Sequence, residues 1–180
     1  MAAAFQLVYQ QGIERTTIAD IARAADVPVG NVYYYFKTKD EIIAAVIEAH
    51  VHEVQTVIAS ITQRYHTPKA RLKGLVAALA GQADLIARHG CPNGTLCAEQ
   101  DKRGSAADPS AAQLMRIPID WAAEQFRAMG RPDADDLAVD LIAAYQGGAQ
   151  LTQALGDPGL LARQGQRIAR WIDSLDPHED

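Results

Sequence analysis

Apolar residues recur at steps of three and four along nearly the whole 180-residue chain, and Val, Ile and Tyr nowhere alternate with polar residues over a useful length. A period near 3.6 rather than 2 predicts helices and no sheet. Ala2 to Gln11 forms the first helix, with Ala4, Phe5, Leu7 and Val8 inward and Gly12 at its end. Thr17 and Asp20 make a capping pair for a short second helix whose inner face holds Ile18, Ile21, Ala22 and Ala25. Asp26-Val27-Pro28 breaks that helix, and a third runs from Val29 to Tyr35. Thr38 and Glu41 form a stronger capping box opening a long fourth helix, whose apolar row from Ile42 to Ile61 stops at His66-Thr67-Pro68.

Thr67 and Pro68 then serve as cap and first residue of a fifth helix, with Leu72, Leu75, Val76, Leu79, Ala83 and Ile86 on one stripe and Gly90 past its end. The stretch "CPNGTLCAEQDKRGSAADPS" is rich in turn residues and leaves room for one short helix near Thr95 to Lys102. A longer helix follows from Pro109 to Met129, with a kink expected at Pro118. Ala134 to Leu155 and Pro158 to Leu175 complete the set, and the acidic end "DPHED" is expected to fray. The expected fold is all-α: a three-helix unit over residues 1–45 and a larger helical unit over 46–180, with the boundary inside the fourth helix near Ala45.

Charge narrows the function. Lys and Arg number 17 against 22 Asp and Glu, a net charge of -5, so nothing global attracts nucleic acid or an anionic membrane, and any anion site must be local. The start "MAAAFQLVYQQG" lacks the basic flank and long apolar run of a signal peptide. Charges and glutamines interrupt every apolar stretch before the roughly 18 residues of a membrane span. These features predict a cytoplasmic protein with no membrane contact. His50 and His52, near Glu48 and Glu53, lie two apart and so point to different helix faces. With no Ser-His-Asp order, phosphate loop or zincin motif, no catalytic residue, metal or cofactor is expected.

The local anion site is the stretch "TTIADIARAADVPVGNVYYYFKTKDEII". Two short helices across a tight turn, packed on a preceding helix, are the parts of a helix-turn-helix unit whose second helix enters the DNA major groove. At about 100° per residue, Val29, Val32 and Phe36 fall on the inner side of the third helix and Gly30, Asn31, Tyr34 and Tyr35 on the other. Asn31 can read a base edge, Gly30 permits close backbone approach, and tyrosine hydroxyls donate to phosphate. Lys39 and Thr17, each at a helix start, add a cation and a hydroxyl where helix amides already favour an anion.

Over Ala3 to Ile43 the chain resembles the tetracycline-repressor (TetR) family of transcriptional regulators. The elements carrying the resemblance are Ala3-Ala4, Leu7-Val8, Gly12, Thr16-Thr17, Ile21-Ala22, Val27, Gly30, Val32, Tyr33, Tyr35, Phe36, Lys39 and Asp40. It implies phosphate contacts from Thr17, Tyr33, Tyr35 and Lys39, and base or groove contacts from Val29, Gly30, Asn31 and Tyr34. Asp26 stands where the family usually has glycine at the turn, Pro28 replaces a common capping serine, and the basic arm that often precedes the family's first helix is missing. Residues 1–50 hold four cations, Arg15, Arg23, Lys37 and Lys39, against six anions, Glu14, Asp20, Asp26, Asp40, Glu41 and Glu48, so two modules are expected to act together on DNA.

Beyond Ala45 the resemblance is one of architecture and implies a double-stranded DNA operator, a small-molecule effector and a homodimer. Small residues on the penultimate helix (Ala144, Gly147, Gly148, with Leu151) and a large apolar stripe on the last (Ile168, Trp171, Ile172) are the expected dimer interface, or else fill the chain's own core. Met115, Trp121 and Phe126, with Leu79, Gln82 and Ile86, are expected to line an effector cavity. Cys91 and Cys97 have a spacing that fits neither a zinc knuckle nor a redox Cys-x-x-C. The sequence therefore predicts a ligand-released repressor. The alternatives are a helical small-molecule binder without operator recognition, or a redox or electrophile sensor using Cys91 and Cys97.

Overall fold

A computed structural model of the protein describes residues 1–102 and 109–175. Its helices are α1 (Ala2–Gln11), α2 (Ile18–Ala24), α3 (Val29–Tyr35), α4 (Lys39–Arg64), α5 (Pro68–Ala80), α6 (Ala83–His89), α7 (Pro92–Lys102), α8 (Pro109–Ala128), α9 (Ala134–Leu155) and α10 (Pro158–Asp173). No strand occurs among the described residues. Part of the expected turn-rich stretch, residues 103–108, and the acidic end, residues 176–180, lie outside them.

Two boundaries differ from expectation. The single fifth helix divides at Gly81 and Gln82, where Gln82 N–H bonds to the Leu79 carbonyl at 3.3 Å, a tightened last turn. Glycine is a poor helix former, and the break lets α6 turn Ile86 into the core. Conversely, α7 begins at Pro92, three residues early, because proline suits a first helical position whose amide needs no partner. Pro118 is buried inside α8, which continues to Ala128.

Three apolar clusters hold the helices together. Ala4, Ile21, Ala22, Val32, Ile42 and Val46 unite α1–α3 with the start of α4. Val8, Ile13, Ile43, Ile47, Val51, Leu96, Ala111 and Leu114 unite α1 and α4 with α7 and α8. The largest cluster joins the end of α4 to α5, α6, α8, α9 and α10, with Leu72, Ile86, Phe126 and Ile172 fully enclosed. Helix α4 contributes to all three. Contrary to the sequence expectation, α4 is long and apolar enough by length and composition to cross a membrane. Its Ile43, Ile47 and Val51 pack against α1, α7 and α8.

Asp26 has φ 54°, the sole left-handed non-glycine residue described, a conformation that aspartate at the turn between α2 and α3 adopts more readily than most residues. Asp26→Gly should therefore be neutral or raise stability by up to about 1 kcal/mol, and Asp26→Val should lower it by about 1–2 kcal/mol, as read by urea denaturation.

Candidate nucleic-acid interface and internal cavity

The second helix starts in a complete capping box: Asp20 N–H donates to Thr17 Oγ1 at 3.1 Å, and Thr17 N–H to Asp20 Oδ2 at 3.2 Å. The Thr17 hydroxyl also donates to Asp20 Oδ2, at 2.6 Å. These bonds hold the Asp20 carboxyl below the usual carboxylate range, with the hydroxyl bond the largest cause. The Thr17 hydroxyl proton is thus already engaged by Asp20, its partner in the expected capping pair.

In α3 Val32 is buried and Phe36 half-buried, but Val29, expected on the inner side, is 40% exposed. A seven-residue helix resting on α2 has room to bury little more than one row, and Val29 at its first position overhangs the turn. Ala25 is likewise exposed rather than inward. Gly30 and Asn31 face solvent, and no atom comes within 4 Å of where a Gly30 side chain would begin. Tyr34 and Tyr35 are each 74% exposed and meet edge to face at 5.0 Å; Tyr33 is exposed beside them. Pro28 stands at the N-cap without a side-chain bond, as expected when it replaces serine.

Two lysines frame this face. Lys37 Nζ donates to the carbonyls of Tyr33 at 2.9 Å and Tyr34 at 3.2 Å, satisfying the negative end of α3. Lys39 Nζ donates to the Glu14 carbonyl at 3.1 Å and ties the α1–α2 turn to the first turn of α4. The capping box at Thr38 is incomplete: Thr38 Oγ1 accepts from Glu41 N–H at 3.2 Å, while the Glu41 carboxylate accepts from Lys37 N–H at 2.7 Å.

Behind this unit lies a cavity of about 210 Å³, walled by α1, α4, α5, α6, α7, α8 and α9, with Cys91 between α6 and α7. Leu79, Gln82 and Met115 line it as expected, with Pro118. Ile86, Trp121 and Phe126 do not; they belong to the largest core cluster. There Trp121 Nε1 donates to Thr62 Oγ1 at 3.2 Å, and the Phe126 ring meets Trp171 at 6.0 Å. Periodicity marks a residue as inward but does not separate a wall from a filled core.

The wall also holds polar and aromatic residues that were not expected there, among them Phe5, Tyr9, His50, Asn93, Tyr145 and Gln146. His50 lies between Glu53 Oε2 at 3.1 Å and Asn93 Oδ1 at 2.8 Å, and Phe5 stacks on its ring at 4.5 Å. Asn93 Nδ2 donates to the Leu114 carbonyl at 3.0 Å. Tyr9 Oη donates to the Gly90 carbonyl at 2.6 Å, and burial pushes its phenol up to about 12. Burial raises the Tyr145 phenol still further, with the neighbouring Cys91 thiol a lesser cause, so both tyrosines stay protonated donors. Two of these carried a signal in the sequence: Phe5, on the inner face of the first helix, and Tyr145, on the inward row with Leu141, Ile142 and Ala149.

Cavity and reading unit share a helix. Phe5 and Tyr9 of α1 form part of the wall, and the Glu99 carboxylate of α7 accepts from the Ile13 amide just past α1. Both cysteines are free thiols: Cys91 is buried at the cavity wall, and Cys97 Sγ donates to the Ala111 carbonyl at 3.2 Å.

The expected dimer residues divide. On α9, Val139, Ala143, Gly147, Leu151 and Leu155 form an exposed row four residues apart, with Leu151 56% exposed. Ala144 is half-buried, and Gly148 is buried, with Gln164 and Leu161 of α10 already against it. Ile168 and Ile172 fill the chain's own core, and Trp171 packs on it. The large apolar stripe of α10 is therefore internal, because α10 is seated on both α5 and α9.

Residues 1–46 match the family described as bacterial regulatory proteins, tetR family. An uncharacterised HTH-type transcriptional regulator of the lacX 3′ region of Lactococcus lactis subsp. lactis is 35% identical over 101 residues, 55% of this chain and 52% of that protein. The chain thus spans about half the length of that relative. The HTH-type transcriptional repressor DhaR of Mycobacterium sp. (strain GP1) is 27% identical over 153 residues, 79% of this chain and 74% of its own length. The crystal structure of a TetR transcriptional regulator from Legionella pneumophila shares the fold, with a TM-score of 0.81, 98% of this chain and 94% of that one covered, and 20% identity. The match to bacterial tetR-family regulatory proteins thus covers the reading unit, residues 1–46, and the remaining helices continue the fold of the Legionella pneumophila regulator.

Proposed function

We propose that the protein is a cytoplasmic, ligand-responsive repressor that binds a near-palindromic DNA operator as a homodimer and releases it when a small molecule enters the cavity. The observation carrying this reading is the open face of α3. Asn31, Gly30, Tyr34 and Tyr35 stand in solvent on a helix fixed by Val32 from behind and by Lys37 at its end. Residues 1–45 act as the reading module and 46–180 as the effector and dimerisation module. Asn31 reads a base edge, Val29 and Gly30 approach the groove, and Tyr33, Tyr34, Tyr35 and Lys39 contact backbone or groove. At Thr17 the phosphate contact falls to the helix amides, since its hydroxyl serves Asp20. The family's role is DNA-binding regulation rather than catalysis, and DhaR is named a repressor.

Release follows from geometry. Two reading helices must sit about 34–36 Å apart, or a multiple of that, to enter successive major grooves. A ligand that parts Phe5 from His50 displaces α1 against α4, and a population of dimers with another spacing then prevails.

Mobility shift against the near-palindromic DNA flanking the protein's own gene tests this. Lys39→Ala should weaken binding to every sequence and flatten the salt slope by about one unit per site. Asn31→Ala should relax preference at particular base pairs, at a cost of about 1–3 kcal/mol each. Equal losses on all sequences for both variants would refute these roles.

A further inference from the structure

Within the cavity wall, the buried and half-buried polar side chains are unequally served. His50, Asn93 and Tyr9 are each matched to an oxygen at 3.1 Å or less. Among the described residues, the Tyr145 hydroxyl and the Gln146 amide nitrogen, adjacent on α9, are matched only to sulfur. The Tyr145 hydroxyl, on a residue 6% exposed, has the Cys91 thiol at 3.8 Å as its one hydrogen-bond partner among the described residues. Gln146 Nε2 points at Cys91 Sγ at 3.5 Å and Met115 Sδ at 3.4 Å. Sulfur is a weak acceptor, so two strong donors converge in one corner of a largely apolar chamber without an oxygen to receive them. Leu75, Leu79, Val57, Ile58 and Pro118 supply apolar wall, and among the described residues neither Lys nor Arg lines it, while Glu53 brings a carboxylate. An anionic ligand would meet no permanent cation and one like charge.

The geometry points to an uncharged, ring-sized apolar effector bearing a carbonyl or equivalent neutral oxygen, which takes the O–H of Tyr145 and the amide N–H of Gln146 in place of the two sulfurs. This rests on the cavity being the effector site. The space, about 210 Å³, modestly exceeds the roughly 150 Å³ that accommodates benzene, and so suits one substituted ring. Exchanging sulfur for oxygen at both donors gives the ligand orientation as well as affinity.

The test uses the full chain without DNA and three compounds of nearly one shape: acetophenone, α-methylstyrene, which replaces the carbonyl oxygen by CH₂, and benzoate, which adds a charge. Calorimetric titration should show acetophenone binding about tenfold or more tighter than either of the others. Tyr145→Phe, which keeps the ring, should weaken acetophenone about tenfold, about 1.4 kcal/mol, and leave α-methylstyrene unchanged. Gln146→Leu provides the same comparison should Tyr145→Phe fail to fold. Equal binding of ketone and styrene, tighter binding of benzoate, no binding of any of the three, or a ketone preference that survives both variants overturns the inference. Loss of operator binding in a separate mobility shift bears on the repressor reading alone, so the two failures are distinguishable.

Discussion

Gly147→Lys is expected to leave the individual chain folded, with its helical circular dichroism intact, yet to weaken dimerisation at least 100-fold and remove tight operator binding. Among the described residues outside its own turn of helix, nothing lies within 4 Å of where a Gly147 side chain would begin, so lysine meets no obstacle there. It also relieves a glycine inside an exposed helix, worth roughly 0.7 kcal/mol. Gly147 is the centre of the exposed α9 row running from Val139 to Leu155, where, in the proposed homodimer, the absence of a side chain would let a second α9 approach closely. An ammonium buried there without a counter-ion costs several kcal/mol, far more than the propensity gain. Operator binding falls with it because the reading module carries more anions than cations, and one module holds DNA weakly. Sedimentation velocity at micromolar concentration reads the first effect and mobility shift the second. A Gly147→Lys protein that still sediments as a dimer would place the interface elsewhere.

Phe126→Ala should lower unfolding stability by about 3–5 kcal/mol, a large share of the roughly 5–15 kcal/mol typical of a domain. Phe126 is fully enclosed and meets the Trp171 ring at 6.0 Å, so truncation leaves a void between α8 and α10 that neither helix can close without losing its own partners. Met115→Ala, at the cavity wall on the same helix, should cost less than half as much, since the side chain already borders open space. Urea denaturation of both variants gives the comparison. Similar costs for the two would mean that Phe126 borders the chamber after all, as its place in the sequence had suggested.

The α9–α10 pair illustrates why some of the molecule was legible in advance and some was not. Small residues at Ala144, Gly147 and Gly148 and large ones at Ile168, Trp171 and Ile172 read as two faces awaiting partners. Which partner each face finds depends on where α5 lies, a matter of contacts nearly a hundred residues apart. Once α5 is seated, α10 is used up internally and the free row is carried by α9. The same holds for Trp121 and Phe126: an inward position is encoded locally, but whether the space before it is filled depends on α5, α6 and α9 together.

What local chemistry fixes, the sequence determined alone: the helical period, the caps at Thr17, Thr38 and Thr67, the left-handed aspartate at the turn and the outward set on α3, since each depends on residues within about four positions. Only the tertiary structure decided that α1 serves both the reading unit and the cavity, through Phe5, Tyr9 and the bond from Ile13 to Glu99. It likewise decided that Tyr145 and Gln146 face sulfur rather than oxygen, because hydrogen-bond partners 31 to 55 residues distant leave no trace in a periodic pattern.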